Sequence, residues 1–358
     1  MISNMAFFYD SPRGAAYSWL IDYAMERSAV FVLARRGEFQ LMEEAERVFS
    51  LLEPYLIEER KISERDIMKR LDEETVRGNG IEYGAGTYYI YKCCEEAAVV
   101  LKQAADDLFA WQHPHLPEDL NFWDHDGQDL LHHVAHERMG GLQIGQEEAE
   151  NISAMVPGLF LSRPEHKKFE VFWQDVLFHK PRKLEIFGFG IREIPESIGA
   201  LKELKELMIH ESYVTRLPAA LFGLTELEDL TVYTEDLVEI PAEIGELTQL
   251  KRLNIACGSY HGPTDHVIRR EEVSLTRVPP EIGRLRLLEQ LSMNYTGILE
   301  LPMEMGQLQN LRFLDLSRNQ LQSEPEFIEK LTGLSYVNLS DNRYNPSPQN
   351  QHWDDYIE

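Results

Sequence analysis

Cysteine is scarce, and the little there is cannot staple a fold. Cys93, Cys94 and Cys257 are the only three in 358 residues, two adjacent and one distant. That is neither a disulfide framework nor a metal-ligand spacing, and free thiols of a reducing cytoplasm are expected. Basic charge is also short: 35 Lys and Arg stand against 61 Asp and Glu, a net charge of −26. Such a chain repels phosphate backbones and anionic lipid, so no nucleic acid and no membrane is expected among its partners. A basic protein would instead be drawn in, chiefly through faster association. No apolar run approaches the roughly 20 residues of a membrane span. The opening MISNMAFFYDSPRG has no basic stretch ahead of an apolar one, so no secretory signal is expected. G-x-S-x-G, H-E-x-x-H and C-x-x-C are missing, which removes the sequence signals for hydrolase, metalloprotease and redox chemistry. No cofactor and no metal are expected.

What the chain has instead is repetition. Hydrophobic residues at 43% are ample for buried cores, and the length suffices for two of them. Prolines fall at Pro195, Pro218, Pro241, Pro279, Pro302 and Pro325, with spacings of 23, 23, 38, 23 and 23. Around them stand IREIPESIGAL, VTRLPAALFGL, LVEIPAEIGEL, LTRVPPEIGRL, ILELPMEMGQL and LQSEPEFIEKL. Each is followed by apolar residues at L-x-x-L-x-L spacing, such as Leu204, Leu207 and Ile209, or Leu311, Leu314 and Leu316. Within L-x-L both apolar side chains leave a short strand on one side, and the residue between them leaves on the other. One unit cannot bury such a face alone, whereas stacked units bury it in a shared core.

Over about residues 182–345 this pattern resembles the leucine-rich repeat family, in the 23-residue form that reads LPxxIGxLxxLxxLxLxxNxL. The resemblance implies an α/β solenoid, a horseshoe whose parallel sheet lines the concave side. The family's asparagine is present at Asn319 and Asn342, but Phe189, Ser212, Glu235 and Thr296 stand there in other units, so a continuous asparagine ladder is not expected. EHKKFEVFWQDVLFHK sets Phe169, Phe172, Trp173 and Val176 on one helical stripe, which predicts a cap helix at about 165–178. Trp353 and Tyr356 are expected to cover the last unit.

The concave surface is the expected partner-binding face. Its residues in unit order include Phe187, Met208, His210, Thr231, Tyr233, Asn254, Ser292, Asn294, Asp315 and Ser317, with Glu185, Ala256, Asn338 and Ser340 completing the strands. The first half is aromatic and amphipathic, of the types enriched at protein interfaces, and the second half is small and polar. Residues 257–272, CGSYHGPTDHVIRREE, belong to no unit. Insertions in repeats map to loops, often on the binding face, so Tyr260, His261, Arg269 and Arg270 are expected beside Tyr233 and Asn254. Lengthening a surface loop also costs little, and simple tolerance is the other reading.

Residues 1–160 carry no repeat and read as α+β. AVFVLAR predicts a strand, FQLMEEAERVFSLLEPYL a helix, and Ser11-Pro12 a helix start. Tyr88–Gln112 predicts one long helix capped by Thr87, with a buried stripe through Ile90, Cys94, Ala97, Leu101, Ala104, Leu108 and Trp111. LPEDLNFWDHDGQDLLHHVAHE has two readings: Asp126-Gly127 signals a hairpin, while His132 and His136, four apart, suit metal on a helix. Its LPEDL, D-G and AHE series resembles a family of small bacterial proteins, with His136 and Glu137 in the AHE; no activity comes with that resemblance. GNGIEYGAGT is expected as a flexible connection, since no apolar strand feeds it as an anion-binding loop requires.

These readings predict an α+β domain over 1–160 and a leucine-rich repeat domain over 161–358. The expected function is a bacterial, cytoplasmic, non-enzymatic module that binds a protein partner on the concave face. Its sharper form is an immunity-type neutraliser of a basic toxin. The alternative is a metal- or histidine-dependent enzyme using His132, His136 and Glu137, with the repeats selecting the substrate.

Overall fold

The computed structural model describes residues 5–37, 40–63, 85–235, 237–257 and 275–345, together with the backbone of 259–260 and 267–268. The chain divides into two compact units, Met1–His166 and Lys167–Glu358.

The first unit is α+β. Its strands are β1 (Met5–Phe7), β2 (Val30–Arg35), β3 (Leu56–Ile62), β4 (Gly86–Lys92), β5 (Glu118–Trp123), β6 (Asp129–Val134) and β7 (Met139–Gln143). They form one sheet in the order β1-β7-β6-β5-β2-β4-β3, antiparallel throughout. Among the described residues four helices accompany it: α1 (Ala15–Arg27), α2 (Glu43–Leu52), α3 (Glu95–Ala104) and α4 (Gln146–Met155). Phe31 and Leu33 of β2 join Leu20, Ile21, Leu52, Leu101 and Ile152 in the main core, whereas Val32 and Ala34 join Tyr88, Ile90 and Trp123 in a smaller cluster. Alternate residues of β2 thus serve opposite faces of the sheet, and both faces are covered.

That double coverage explains the largest departure from expectation. Tyr88–Gln112 is not one helix: Gly86–Lys92 is a strand, and the helix starts only at Glu95. A strand buried on both faces is apolar at both parities, so YYIY carries no period of two, and Ile90 falls by chance four residues before Cys94. Thr87 sits in β4 facing Arg35 rather than capping a helix. Cys94 is the extended residue before α3, half-buried against the core instead of inside it. Burial pushes the neighbouring Cys93 thiol up to about 12, with Cys94 adding to the shift, which makes Cys93 unreactive near neutrality. Ser11 does not cap α1, which starts at Ala15 after Gly14. Its hydroxyl donates to the Asp107 carboxylate and accepts from the Phe109 N–H at 3.0 Å. The hairpin reading of LPEDL…AHE is the one observed: β5 and β6 pair, and the Asp124 carboxylate accepts from the N–H groups of Asp126 and Gln128 at 2.9 and 2.8 Å.

The second unit is a repeat solenoid. Helix α5 (Phe169–His179) buries Phe172, Trp173 and Val176 and precedes the first strand. Seven strands then stack in parallel: β8 (Lys183–Phe187), β9 (Glu206–His210), β10 (Asp229–Tyr233), β11 (Arg252–Ala256), β14 (Gln290–Ser292), β15 (Phe313–Asp315) and β16 (Tyr336–Asn338). The register runs Leu184, Leu207, Leu230, Leu253, Leu291, Leu314, Val337, so one column of apolar residues continues through all seven coils. Its members through Leu314 are buried, and Val337 at the far edge is 41% exposed. Trp353 and Tyr356 lie outside the described residues.

Each repeating proline precedes a five-residue 3-10 turn, as Pro195 precedes Glu196–Ala200 and Pro302 precedes Met303–Gln307. Proline's fixed φ suits that position and sacrifices no hydrogen bond there. The glycine of I-G is required where successive turns touch, since a Cβ on Gly283 would approach the Glu304 carbonyl oxygen to 2.5 Å. Asn319 and Asn342 are buried and donate to the carbonyls of Met293 at 2.6 Å and Leu316 at 2.9 Å. Earlier coils replace them from one position upstream. The buried Glu211 accepts from the N–H groups of Phe189, Gly190 and Ile191 at 2.7, 2.8 and 3.3 Å, and the Thr234 hydroxyl donates to Val214 O at 2.8 Å.

Candidate functional site

The outward face of the parallel sheet holds most of the residues expected to bind a partner. Because Leu184 and Ile186 point inward, Lys183, Glu185 and Phe187 share the opposite side, and the same parity repeats along the stack. The outermost column carries an aromatic run. Phe187 is 65% exposed, its ring centroid is 4.9 Å from His210, and His210 is 5.6 Å from Tyr233, both in edge-on geometry. The Tyr233 hydroxyl accepts from Asn254 Nδ2 at 2.8 Å, which fixes the end of the run. Met208 lies in the middle column at 37% exposure, with Thr231, Asn254, Ser292 and Asp315 following it, all half-buried. Asn294 is half-buried past the end of β14.

Two residues depart from the expected face. Ala256 is buried, and so is Ser317, because β15 ends at Asp315 and the chain turns at Arg318 with φ 59°. There the Ser317 N–H is held by the Asp315 carboxylate at 2.9 Å. Sequence reading also missed a whole column. The residue ahead of each first leucine shares the outward parity, giving Lys183, Glu206, Asp229, Arg252, Gln290, Phe313 and Tyr336. The signal was available, since x-L-x-L-x has three outward positions rather than two. This column supplies an ion pair between Arg252 and Asp229 at 2.5 Å and a stacked Phe313–Tyr336 pair with centroids 4.5 Å apart.

The inserted segment does not begin where the text of the repeats breaks. Cys257, the residue after β11, is buried, and Leu275 is buried where the pattern resumes. Between them Ser259–Tyr260 (β12) pairs antiparallel with Val267–Ile268 (β13). His261, Arg269, Arg270 and the Tyr260 side chain lie outside the described residues.

A second group of polar residues was only partly anticipated. His132 and His136 lie in different elements: β6 ends at Val134, His136 lies in the following 3-10 turn, and His132 Nδ1 is 3.8 Å from Asp129. His136 Nδ1 instead lies 3.1 Å from Glu118 Oε1. The other oxygen, Glu118 Oε2, meets His113 Nδ1 at 2.8 Å and Arg36 Nε at 3.3 Å. Arg36 also donates to Asp119 Oδ2 at 2.8 Å and to the Tyr88 hydroxyl at 2.9 Å. Adjacent residues of a regular strand point to opposite faces, yet Glu118 and Asp119 reach the same guanidinium. Asp119 has φ 56°, and pairing between β5 and β2 shifts register between Val32 and Ala34, so the alternation is broken there. Asp119 Oδ1 accepts from the Ala135 N–H at 3.1 Å, tying β5 to the turn that carries His136. Burial works against ionising both carboxyls. For Glu118 the hydrogen bond from His113 and the charge of Arg36 prevail and hold it below the ordinary range, whereas Asp119, beside the Glu118 charge, sits above it. His133 is fully buried and stacked on Phe109 at 5.5 Å, and burial drives its pKa down to about 3. Neither of its ring nitrogens has a hydrogen-bond partner among the described residues.

Residues 176–269 match the family model described as a leucine-rich repeat region. Among solved structures, the chain is similar to a leucine-rich repeat protein of Leptospira interrogans, with 29% identity over 47% of this chain and 40% of that one, TM-score 0.40. It is similar to an internalin of Listeria monocytogenes at 18% identity, covering 47% of this chain and 44% of that one, TM-score 0.37. It is also similar to the Arabidopsis receptor kinase HAESA, solved in complex with the peptide hormone IDA and a co-receptor, at 25% identity over 44% of this chain and 25% of that one, TM-score 0.34. The chain spans less than half the length of each of these three. No curated protein matches it. Among the described residues no helix is long and apolar enough to cross a membrane. The repeated prolines, the in-register leucine column and the matched segment together identify a leucine-rich repeat region in the second unit.

Proposed function

We propose that the chain is a non-enzymatic binding module that takes a protein partner on the outward, concave face of its parallel sheet. The observation that carries this reading is the aromatic run from exposed Phe187 through half-buried His210 and Tyr233, with exposed Met208 beside it. An exposed phenylalanine on a rigid strand is poised to gain up to about 2 kcal/mol when a partner covers it. The rings already brace one another and Tyr233 is held by Asn254, so little side-chain freedom remains to be lost on binding. Beyond Asn254 the face turns to small polar groups, suited to a hydrogen-bonding periphery around an aromatic anchor.

In its finer form the partner is basic, a toxin or nuclease that the chain neutralises in the cytoplasm. The net charge of −26 and the absence of a disulfide among three cysteines support that form. The likeness of the first unit to the small bacterial proteins with the LPEDL and AHE series belongs to the same proposal. A second reading, with chemistry seated in the first unit, has one observation in its favour, the contact of buried Glu118 with His136.

The test is capture of the partner from the native organism by the intact chain and by the double variant Met208→Glu, Tyr233→Glu. Capture should be lost while the melting curve stays unchanged, and capture equal to the unaltered chain would place the interface elsewhere. Deleting 258–272, which spares the buried Cys257, should leave the fold intact, and loss of capture would assign the insertion to the interface.

A further inference from the structure

We propose that Glu118, Asp119 and His136 of the first unit form a binding site for a divalent first-row cation. One ligand atom from each of the three lies within 4.8 Å of the other two. The inference is independent of the concave-face reading, which concerns the other unit.

The arrangement separates two tasks. Each carboxylate turns one oxygen to Arg36, Glu118 through Oε2 and Asp119 through Oδ2. Glu118 Oε1 is left toward His136 and Asp119 Oδ1 toward the Ala135 N–H. An oxygen accepting one N–H keeps a second lone pair for a metal. Carboxylates that ligate metals are themselves held by such outer hydrogen bonds, and Arg36, His113 and the Ala135 N–H have that role here. The 3.1 Å between His136 Nδ1 and Glu118 Oε1 is a hydrogen-bond distance. It is also the separation of two neighbouring ligands on one ion, roughly 3 Å when each bond is about 2.0–2.2 Å. Exchanging the proton on His136 Nδ1 for a cation therefore requires little movement of the heavy atoms.

Charge points the same way. Side-chain exposures of 7% for Glu118, 3% for Asp119 and 10% for Arg36 keep the group largely out of water. Two carboxylates meet one permanently charged guanidinium, and the excess negative charge faces only the imidazoles of His113 and His136 beside Glu118, where its desolvation is costly. A further cation resolves that imbalance. His133, fully buried within electrostatic reach of Glu118 and His136, cannot supply it, because burial keeps its imidazole neutral. His136 is 45% exposed, so the site has an access path and room for water or a ligand to complete the coordination. Two hard carboxylate oxygens with one imidazole suit Mn2+ or Zn2+ rather than a thiophilic ion.

The experiment titrates the untagged full chain, stripped of metal, with MnCl2 or ZnCl2, measuring bound ion by equilibrium dialysis and free Mn2+ by its EPR signal. The chain should bind one equivalent saturably. His136→Ala, at an exposed position that leaves the fold intact, should weaken binding at least tenfold. Glu118→Gln should abolish it, and His132→Ala, outside the three ligands, should leave it unchanged. Absence of saturable binding below millimolar ion overturns the proposal, showing that the His136–Glu118 contact is only a hydrogen bond. Binding that survives His136→Ala, or that His132→Ala removes equally, also overturns it.

Discussion

Leu253→Ala is the perturbation that most directly tests whether the coils share one interior. Leu253 lies on β11, paired with Leu230 on one side and Leu291 on the other, and both neighbours are fully buried. The substitution removes three carbons, worth about 2.4 kcal/mol at about 0.8 kcal/mol per buried methylene. The space left, on the order of 50–80 Å³, adds about 1–2 kcal/mol at about 24 cal/mol per Å³ if it stays open. It should stay open, because β11 is hydrogen-bonded along both edges and cannot move in to fill it. The expected loss is about 3.5–4.5 kcal/mol, in the upper half of the usual range for such changes. Val337→Ala in the same column is the comparison: at 41% exposure on the last strand it should cost under about 1 kcal/mol. Urea unfolding should be followed by hydrogen exchange in peptides of the second unit, since two units need not unfold together. A cost for Leu253→Ala below about 1 kcal/mol, or a Val337→Ala cost equal to it, would refute a continuous shared core.

Arg36→Met should destabilise the first unit by about 3–5 kcal/mol, because it strands two buried carboxylates that share the guanidinium, and thermal melting reads the loss. Glu228 bridges Lys205 and Lys251 of neighbouring coils at 2.6 and 2.7 Å, and hydrogen bonds from the two lysines lower its pKa to about 2. A carboxyl depressed in the folded state contributes stability that is fully present above its unfolded pKa and is lost as pH falls toward 2. The melting temperature of Glu228→Gln should therefore depend less on pH than that of the parent between about pH 4.3 and 2, and identical slopes would contradict the bridge.

The repeat unit was legible because its physics is local and recurs. Proline before a 3-10 turn, glycine where turns touch and two leucines on one side of a strand each leave a mark every 23 residues. The departures came where a residue's role is set by distant chain. YYIY reads as helix only while β2 and β3, which flank it in the sheet, are unknown. Glu118 stood unremarked inside LPEDL, since nothing near it in sequence discloses Arg36 across 82 residues. His132 and His136 attracted notice by their spacing, yet the partner that the turn after Val134 gives His136 is Glu118, which that spacing does not disclose. The substitution of Glu211 and Thr234 for the missing asparagines was hidden by a shift of one position, although the need of the turn for a buried hydrogen-bonding side chain was already implied.

The acidity of the chain lies largely away from the aromatic run on its outward strand face. On that face, whose further acids are Glu206 and Asp315, Lys183 pairs with Glu185 and Arg252 with Asp229, and the aromatic run carries no carboxylate. Many of the acids stand instead in the 3-10 turns and the segments joining them to the strands, at Glu196, Glu243, Glu281, Glu304 and Glu326. Charges displaced from a contact still act at a distance of about one Debye length, roughly 8 Å in physiological salt, and so govern how fast a basic partner arrives. On the proposed reading, residence on the face would then be decided by the rings and by whatever hydrogen bonds the polar half supplies. For the proposed partner, added salt should therefore slow association and leave dissociation nearly constant, whereas loss of Tyr233 should do the reverse. Kinetics that moved together under both changes would mean that charge and contact are not divided in this way.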